Sequence, residues 1–195
     1  MLSYNKSLKI LKETNALQEG HFILSSGLHS DKYIQCAKLL SNPAKAEIIC
    51  KSLSDKIINE FKNVDLILSP AIGGIVVGYE VGRQLGTKTI FAERSDGEMI
   101  IRRGFEILPN SNVLIVEDVI TTGRSALECS KLVNANKANL LGYACIIDRS
   151  DEKLLIKDKI VSQIKFSITT YEEKEIPDDL KKISPQKPGS RNLVK

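Results

Sequence analysis

From residue 64 onward, apolar positions along the chain follow two alternating rhythms. Short runs rich in branched apolar residues (Val64–Leu68, Lys88–Ala92, Val113–Val116, Leu140–Ile147 and Ile164–Ile168) read as strands. Runs this continuous suit strands covered on both faces, since a half-exposed strand would alternate apolar with polar. Between them lie stretches of helical spacing, notably Gly74–Leu85, and Ala126, Cys129, Leu132 and Val133 at i, i+3, i+6 and i+7. Alternation of this kind predicts an α/β fold with a five-stranded parallel sheet wound by helices.

The first 63 residues read differently. Leu2–Leu17 has the pattern of an amphipathic helix with Leu8, Leu11 and Leu17 on its buried side, ending before Gly20. Phe22–Leu24 and Tyr33–Ile34 suit short paired strands around a loop centred on Gly27. Asn42 followed by Pro43 is a cap and first-turn pair, predicting a helix to about Phe61 that buries Ala46, Ile49, Cys50, Leu53, Ile57 and Phe61. Residues 41–170 would form the sheet core. Residues 1–40 and 171–195 would form a small cap on the same single domain, with 185–191 a surface tail.

Composition narrows the class without naming it. In 195 residues, 42% are hydrophobic and 27% charged, as in an ordinary globular protein able to bury roughly 70% of its extended surface. The formal charge of +4 is spread along the chain and suits an anionic small molecule. With five Phe, five Tyr and no Trp there is little material for base-stacking platforms, so nucleic acid is not an expected partner. Cys36, Cys50, Cys129 and Cys145 show no C-x-x-C spacing and the only histidines are His21 and His29, which argues against zinc and against a disulfide framework. No apolar stretch has the length of a signal peptide or membrane span, so a cytoplasmic protein without membrane contact is expected.

The chemistry concentrates in residues 113–127. After the apolar strand come Glu117 and Asp118, where the strand would leave the sheet, then Val119-Ile120-Thr121-Thr122-Gly123-Arg124-Ser125 and a helix. A turn of hydroxyl residues and glycine at a helix start can direct backbone N–H groups and hydroxyls at one phosphate, aided by the helix dipole. Two carboxylates would repel that phosphate, so they should face hydroxyl donors such as those of a sugar. A ribose 5-phosphate satisfies both halves. An ordinary turn with acidic residues near a helix start would also give a bare D-x-x-T-x-G.

Three further stretches could reach the same sheet edge. Ala71-Ile72-Gly73-Gly74 follows the first sheet strand, and its glycines permit the close backbone approach of a second anion site, or only a tight turn. Phe91–Phe105 reads as two strands joined across Ser95-Asp96-Gly97-Glu98, with Arg94, Arg102 and Arg103 making the hairpin cationic. It could equally be a solvated ribbon. Arg149 ends a strand and can pair a planar carboxylate or imide through two N–H bonds, or simply neutralise Asp148 or Asp151.

Taken together, the run Val113–Leu127 resembles the phosphoribosyl-pyrophosphate (PRPP) signature of the type I phosphoribosyltransferases. The Asp148-Arg149 pair and the segment Phe22-Ile-Leu-Ser-Ser-Gly-Leu-His-Ser-Asp-Lys-Tyr33 resemble the orotate branch of that family. The resemblance implies transfer of the phosphoribosyl group from PRPP to orotate. Glu117 and Asp118 would act on the ribose, with Arg102 and Arg103 also catalytic. PRPP would be held by Arg94 and residues 117–125, and pyrophosphate by Ala71, Ile72, Gly73 and Gly74. Orotate would meet Thr121, Arg149, Ser26, Gly27 and Tyr33. It further implies Mg²⁺ bound through substrate and water, with no direct protein ligands, and a homodimer with shared sites. The sequence departs from the family where lysines are common, at Ser25, at Gly73 and in the hairpin loop. A purine or xanthine phosphoribosyltransferase is the alternative enzyme. A PRPP-sensing regulator on the same fold should carry an added DNA-binding domain or a basic face, and the 40 residues before the sheet are too few for a winged helix plus the cap; no G-x-x-x-x-G-K-[ST] supports a kinase or ATPase.

Overall fold

The structure, a computed structural model, describes residues 1–24 and 26–188. Ser25, the first of the lysine departures, and the end of the expected tail lie outside the described residues. In chain order the elements are α1 (Tyr4–Glu13), β1 (Leu17–Ile23), β2 (His29–Ile34), α2 (Cys36–Leu40), α3 (Pro43–Glu60), β3 (Leu66–Pro70), α4 (Gly73–Leu85) and β4 (Lys88–Ser95). They continue with β5 (Glu98–Ile101), β6 (Asn112–Ile120), α5 (Arg124–Ala135), β7 (Asn139–Asp148), β8 (Ile160–Lys165), β9 (Thr170–Tyr171), a 3₁₀ turn at Glu173–Glu175 and α6 (Asp178–Lys181).

The main sheet has six strands in the order β5-β4-β3-β6-β7-β8. Five are parallel, as the apolar runs predict. The sixth, β5, is an antiparallel edge strand. It is the return arm of the expected hairpin, whose Asp96 and Gly97 both have positive φ (51° and 87°), as a tight Asp-Gly turn requires. The parallel strands thus run 2-1-3-4-5, and the winding direction reverses between β3 and β6. That switch point opens a crevice at the carboxyl ends of two neighbouring strands.

Each central strand divides its side chains between two cores. Ile67, Leu114, Val116, Ala144 and Ile146 point to the face covered by α3 and α4. Leu66, Leu68, Val113, Ile115, Tyr143 and Cys145 point to the face covered by α5 through Ala126, Cys129 and Val133. A period of two with both phases apolar is the reason these strands read as unbroken runs. Helix α4 lies unusually close to its sheet: a Cβ on Gly78 would fall 2.0 Å from Ser69 Oγ, and one on Gly82 1.9 Å from Thr89 Oγ1.

Several expected boundaries shift for local reasons. The first helix stops at Glu13, not Leu17, because the Thr14 hydroxyl donates back to Ile10 O (2.9 Å) and Asn15 takes a left-handed φ of 53°. Leu17 is buried instead as the first residue of β1. The last parallel strand is Ile160–Lys165, not 164–168. Strand β6 continues to Ile120, pairing Glu117 with Cys145 and Val119 with Ile147, so the acidic pair sits inside the strand's final stretch. Asn42 caps α3 as expected, accepting from Lys45 N–H at 3.2 Å.

A second, three-stranded sheet, β1-β2-β9, joins the N-terminal hairpin to the chain after residue 169. Helix α2 follows the hairpin directly, and the Cys36 thiol lies 4.0 Å from Asp118 O. All four cysteines are free and buried. Among the described residues no helix is long and apolar enough to cross a membrane.

Candidate active site

Two loops meet at the switch point. After β3 the chain turns through Ala71–Gly74, with a cis Ala71–Ile72 peptide, into α4. The Ala71 N–H donates to Ala92 O at 2.7 Å, and among the described residues no hydrogen bond engages the N–H of Ile72, Gly73 or Gly74. After β6 the chain turns through Thr121–Gly123 into α5, Gly123 at φ 74°. Thr121, Thr122 and Arg124 are exposed and Ser125 half-buried. The N–H groups of residues 121–125 likewise have no partner among the described residues. Two sets of free amides at helix starts therefore flank one crevice, each suited to an anion.

Between the loops stand the two carboxylates. A Cβ built on Gly73 would lie 2.8 Å and 2.9 Å from the Asp118 carboxylate oxygens, so the first loop touches the acidic pair. Any larger residue at 73, lysine included, would have to displace Asp118. Asp118 Oδ1 accepts from Val119 N–H at 2.9 Å. Burial raises the carboxyl of Asp118 above its ordinary range, and the backbone N–H groups partly counter it. Glu117 is pushed up to about 8, first by burial and then by the adjacent Asp118 charge. A pair so poorly solvated is poised to take hydrogen bonds from hydroxyls or to meet positive charge. Val119 and Ile120 contribute backbone only: Ile120 is a core residue whose carbonyl accepts from Arg149 N–H at 2.8 Å.

That bond brings the end of β7 beside the Thr121–Gly123 turn. Asp148 is satisfied without its neighbour, accepting from Ser150 N–H (2.8 Å) and facing Lys165 (3.5 Å). Arg149 has no ion pair among the described residues, and its Nε is buried without a hydrogen bond. Tyr33 and Asp151 lie near enough to influence it, while burial pulls the guanidinium below its ordinary value. Neutralising Asp148 is therefore not its role. Tyr33 stacks against Phe22 at 5.7 Å, and Ser26 and Gly27 are exposed in the turn of the N-terminal hairpin.

The hairpin arginines occupy a different arrangement. Arg103 pairs with Glu93 at 3.0 Å and lies 5.7 Å from the Phe91 ring centroid, while Arg102 faces the same carboxylate at 3.7 Å. Arg94 pairs with Glu128 on α5 and donates to Gly97 O, and Arg124 shares Glu128 at 3.3 Å. Sequence reasoning passed over Glu93 and Glu128. The i,i+4 spacing of Arg124 and Glu128 was the available signal for the second. No group of three or more His, Cys, Asp or Glu capable of holding a metal occurs among the described residues.

Comparison with known proteins identifies the family of the chain. The phosphoribosyl transferase domain profile matches residues 37–176. A protein named orotate phosphoribosyltransferase from a Thermoanaerobacter species is 46% identical over 95% of this chain and 97% of its own. Among solved structures, orotate phosphoribosyltransferase from Aeropyrum pernix superposes with a TM-score of 0.66 at 22% identity, covering 80% of this chain and 92% of that one. Adenine phosphoribosyltransferase from Thermoanaerobacter pseudethanolicus gives 0.60 at 21%, covering 69% and 88%. The fold alone is thus shared across base specificities, whereas the sequence likeness is to the orotate enzymes. The chain belongs to the phosphoribosyltransferase family, in its orotate phosphoribosyltransferase branch.

Proposed function

We propose that the chain transfers the 5-phosphoribosyl group from PRPP to orotate, forming orotidine 5′-phosphate and pyrophosphate in pyrimidine biosynthesis. The observation that carries the base assignment is Arg149, a half-buried guanidinium without an ion-pair partner among the described residues, at the strand end that meets Ile120 just before the Thr121–Gly123 turn. A planar anion such as the orotate carboxylate suits it, because a bidentate pair supplies both charge and geometry. Purines offer no carboxylate. Ser26, Gly27, Tyr33 and Thr121 complete the base site in this reading.

The 5-phosphate sits on the free amides and hydroxyls of Thr121–Ser125, and the pyrophosphate in the Ala71–Gly74 loop on the free amides of Ile72, Gly73 and Gly74, with Arg94 assisting. Glu117 and Asp118 accept from the ribose hydroxyls and stabilise positive charge as the bond at the anomeric carbon stretches. Arg102 and Arg103 leave Glu93 to meet the departing pyrophosphate, which exposed ion pairs of small net worth permit. The site offers oxygen donors, two carboxylates, but no cage. That suits Mg²⁺ held mainly by substrate oxygens and water, where the ion would neutralise pyrophosphate charge.

We place the enzyme in the cytoplasm, whose reducing conditions suit four free buried thiols. It works as a homodimer with shared sites. Exposed Ile72, Val76 and Tyr79, spaced i, i+4 and i+7 from the pyrophosphate loop along α4, form an apolar stripe fit for a second copy. Incubation with PRPP, Mg²⁺ and a panel of bases tests the reading. Loss of orotate absorbance with purines unconsumed is expected, and consumption of a purine instead would overturn it.

A further inference from the structure

Two buried histidines take no part in this chemistry, and they sit where the N-terminal hairpin meets the end of the chain. His21 Nε2 lies 2.7 Å from His29 Nδ1, and His21 Nδ1 lies 2.8 Å from the carbonyl oxygen of Ile183. Both rings are more than nine-tenths buried. A carbonyl only accepts, so His21 Nδ1 carries the hydrogen. In the neutral pair His21 Nε2 then accepts, and His29 Nδ1 donates. The two rings thus form one directed chain from β2 through β1 to residue 183.

Backbone bonds extend the attachment. Ile23 N–H donates to Gln186 O, and Gln186 N–H donates to His21 O, both at 2.8 Å. On the hairpin's other edge, β9 pairs with His29 and Ser30, and the buried Ser30 hydroxyl donates to Thr169 O at 2.9 Å. The hairpin is therefore bordered on both edges by the C-terminal part of the chain. Its turn bears Ser26 and Gly27 and is closed by Leu24 N–H to Leu28 O at 2.8 Å, directly between Ile23 and His29. The same hairpin carries Tyr33 toward Arg149.

We infer that His21 and His29 are positioning residues for the base-closing turn, and that residues 183–186 are a strap which the histidine pair pins to the hairpin. This rests on the proposed role of that turn at orotate. The strap holds the hairpin's β1 edge as β9 holds its β2 edge, so its loss is felt by the base and not by PRPP, whose proposed contacts lie on the loops of the six-stranded sheet.

The test uses full-length His21→Ala, His29→Ala and Gln186→Pro, the last removing the strap's N–H while leaving both rings. Each should raise the Michaelis constant for orotate by roughly tenfold, leave that for PRPP and kcat within about twofold, and speed amide exchange over residues 22–30. The pair His21→Ala with Gln186→Pro should be no worse than either alone, since both release one strap. His21→Asn, whose amide can still donate to Ile183 O, should recover part of the orotate affinity. The inference is overturned if both Michaelis constants rise together, if orotate affinity is unmoved while exchange accelerates, or if the double variant is additive. Should the alanine variants fail to fold, Gln186→Pro and His21→Asn decide by the same split. If the wild-type protein consumes a purine and not orotate, the function proposed above falls, and the same split measured on that base judges the strap by itself.

Discussion

With nothing bound, burial at the end of β6 and then the neighbouring carboxylate push the Glu117 carboxyl up to about 8, and a substrate that brings hydroxyl donors and positive charge would draw it back toward the ionised form. Unfolded, it would release its proton near 4.5. The folded state therefore holds more protons between those values, and its stability must fall as pH rises from about 4.5 to about 8. Glu117→Gln, permanently neutral, should flatten that decline in a melting-temperature series; an unchanged slope would show that Glu117 is ordinarily ionised in the fold. Asp118→Asn addresses chemistry. Its charge matters most when the ring becomes cationic, so turnover should drop far more than PRPP affinity. Weakened binding with normal turnover would make it a binding residue only. Arg149→Ala should raise the orotate Michaelis constant by roughly 2–4 kcal/mol worth of binding and leave PRPP nearly unaffected. Equal damage to both substrates would mark a structural arginine.

At the scale of elements, the loops after β3 and β6 depend on each other through a single contact. Gly73 leaves room for the Asp118 carboxylate. Gly73→Ala should therefore lower kcat by up to about a hundredfold through displacement of Asp118, with little change in melting temperature because position 73 is exposed. If activity survives, the carboxylate has somewhere else to go. The sequence carried both loops, since strand, acidic pair, hydroxyl turn and helix follow one another without a break. It did not carry their contact, because the order 2-1-3-4-5 that places β3 beside β6 is a long-range pairing with no local signature. Boundaries failed where side chains compete with the backbone, as at Thr14. The reach of β6 past Glu117 was hidden for a related reason: ladder bonds to β7 hold polar residues in strand conformation that an apolar pattern cannot register. The attachment of residues 183–186 to β1 joins positions more than 150 apart and was equally invisible.

At the scale of the whole molecule, the difficulty is charge. PRPP and pyrophosphate bring several negative charges, yet the described crevice supplies backbone amides and Arg149. The hairpin's arginines are engaged with Glu93 and Glu128 of their own chain. Their ion pairs are exposed and weak enough to exchange for a phosphate, but the exchange need not happen within one chain. The apolar stripe on α4 begins at the Ala71–Gly74 loop itself, so a copy docked there would bring its own surface to the mouth of this crevice. If the hairpin serves the neighbouring subunit, Arg103→Ala and Asp118→Asn proteins should each be nearly inactive alone. Mixed and allowed to exchange subunits, they should regain activity, because one of the two sites in each heterodimer then receives an intact hairpin and an intact acidic pair. A mixture that stays inactive while tagged subunits demonstrably exchange would mean that the hairpin acts on its own chain's site. Full activity of Arg102→Ala and Arg103→Ala taken singly would instead reduce the hairpin to an edge ribbon, leaving amides and metal to carry the pyrophosphate charge.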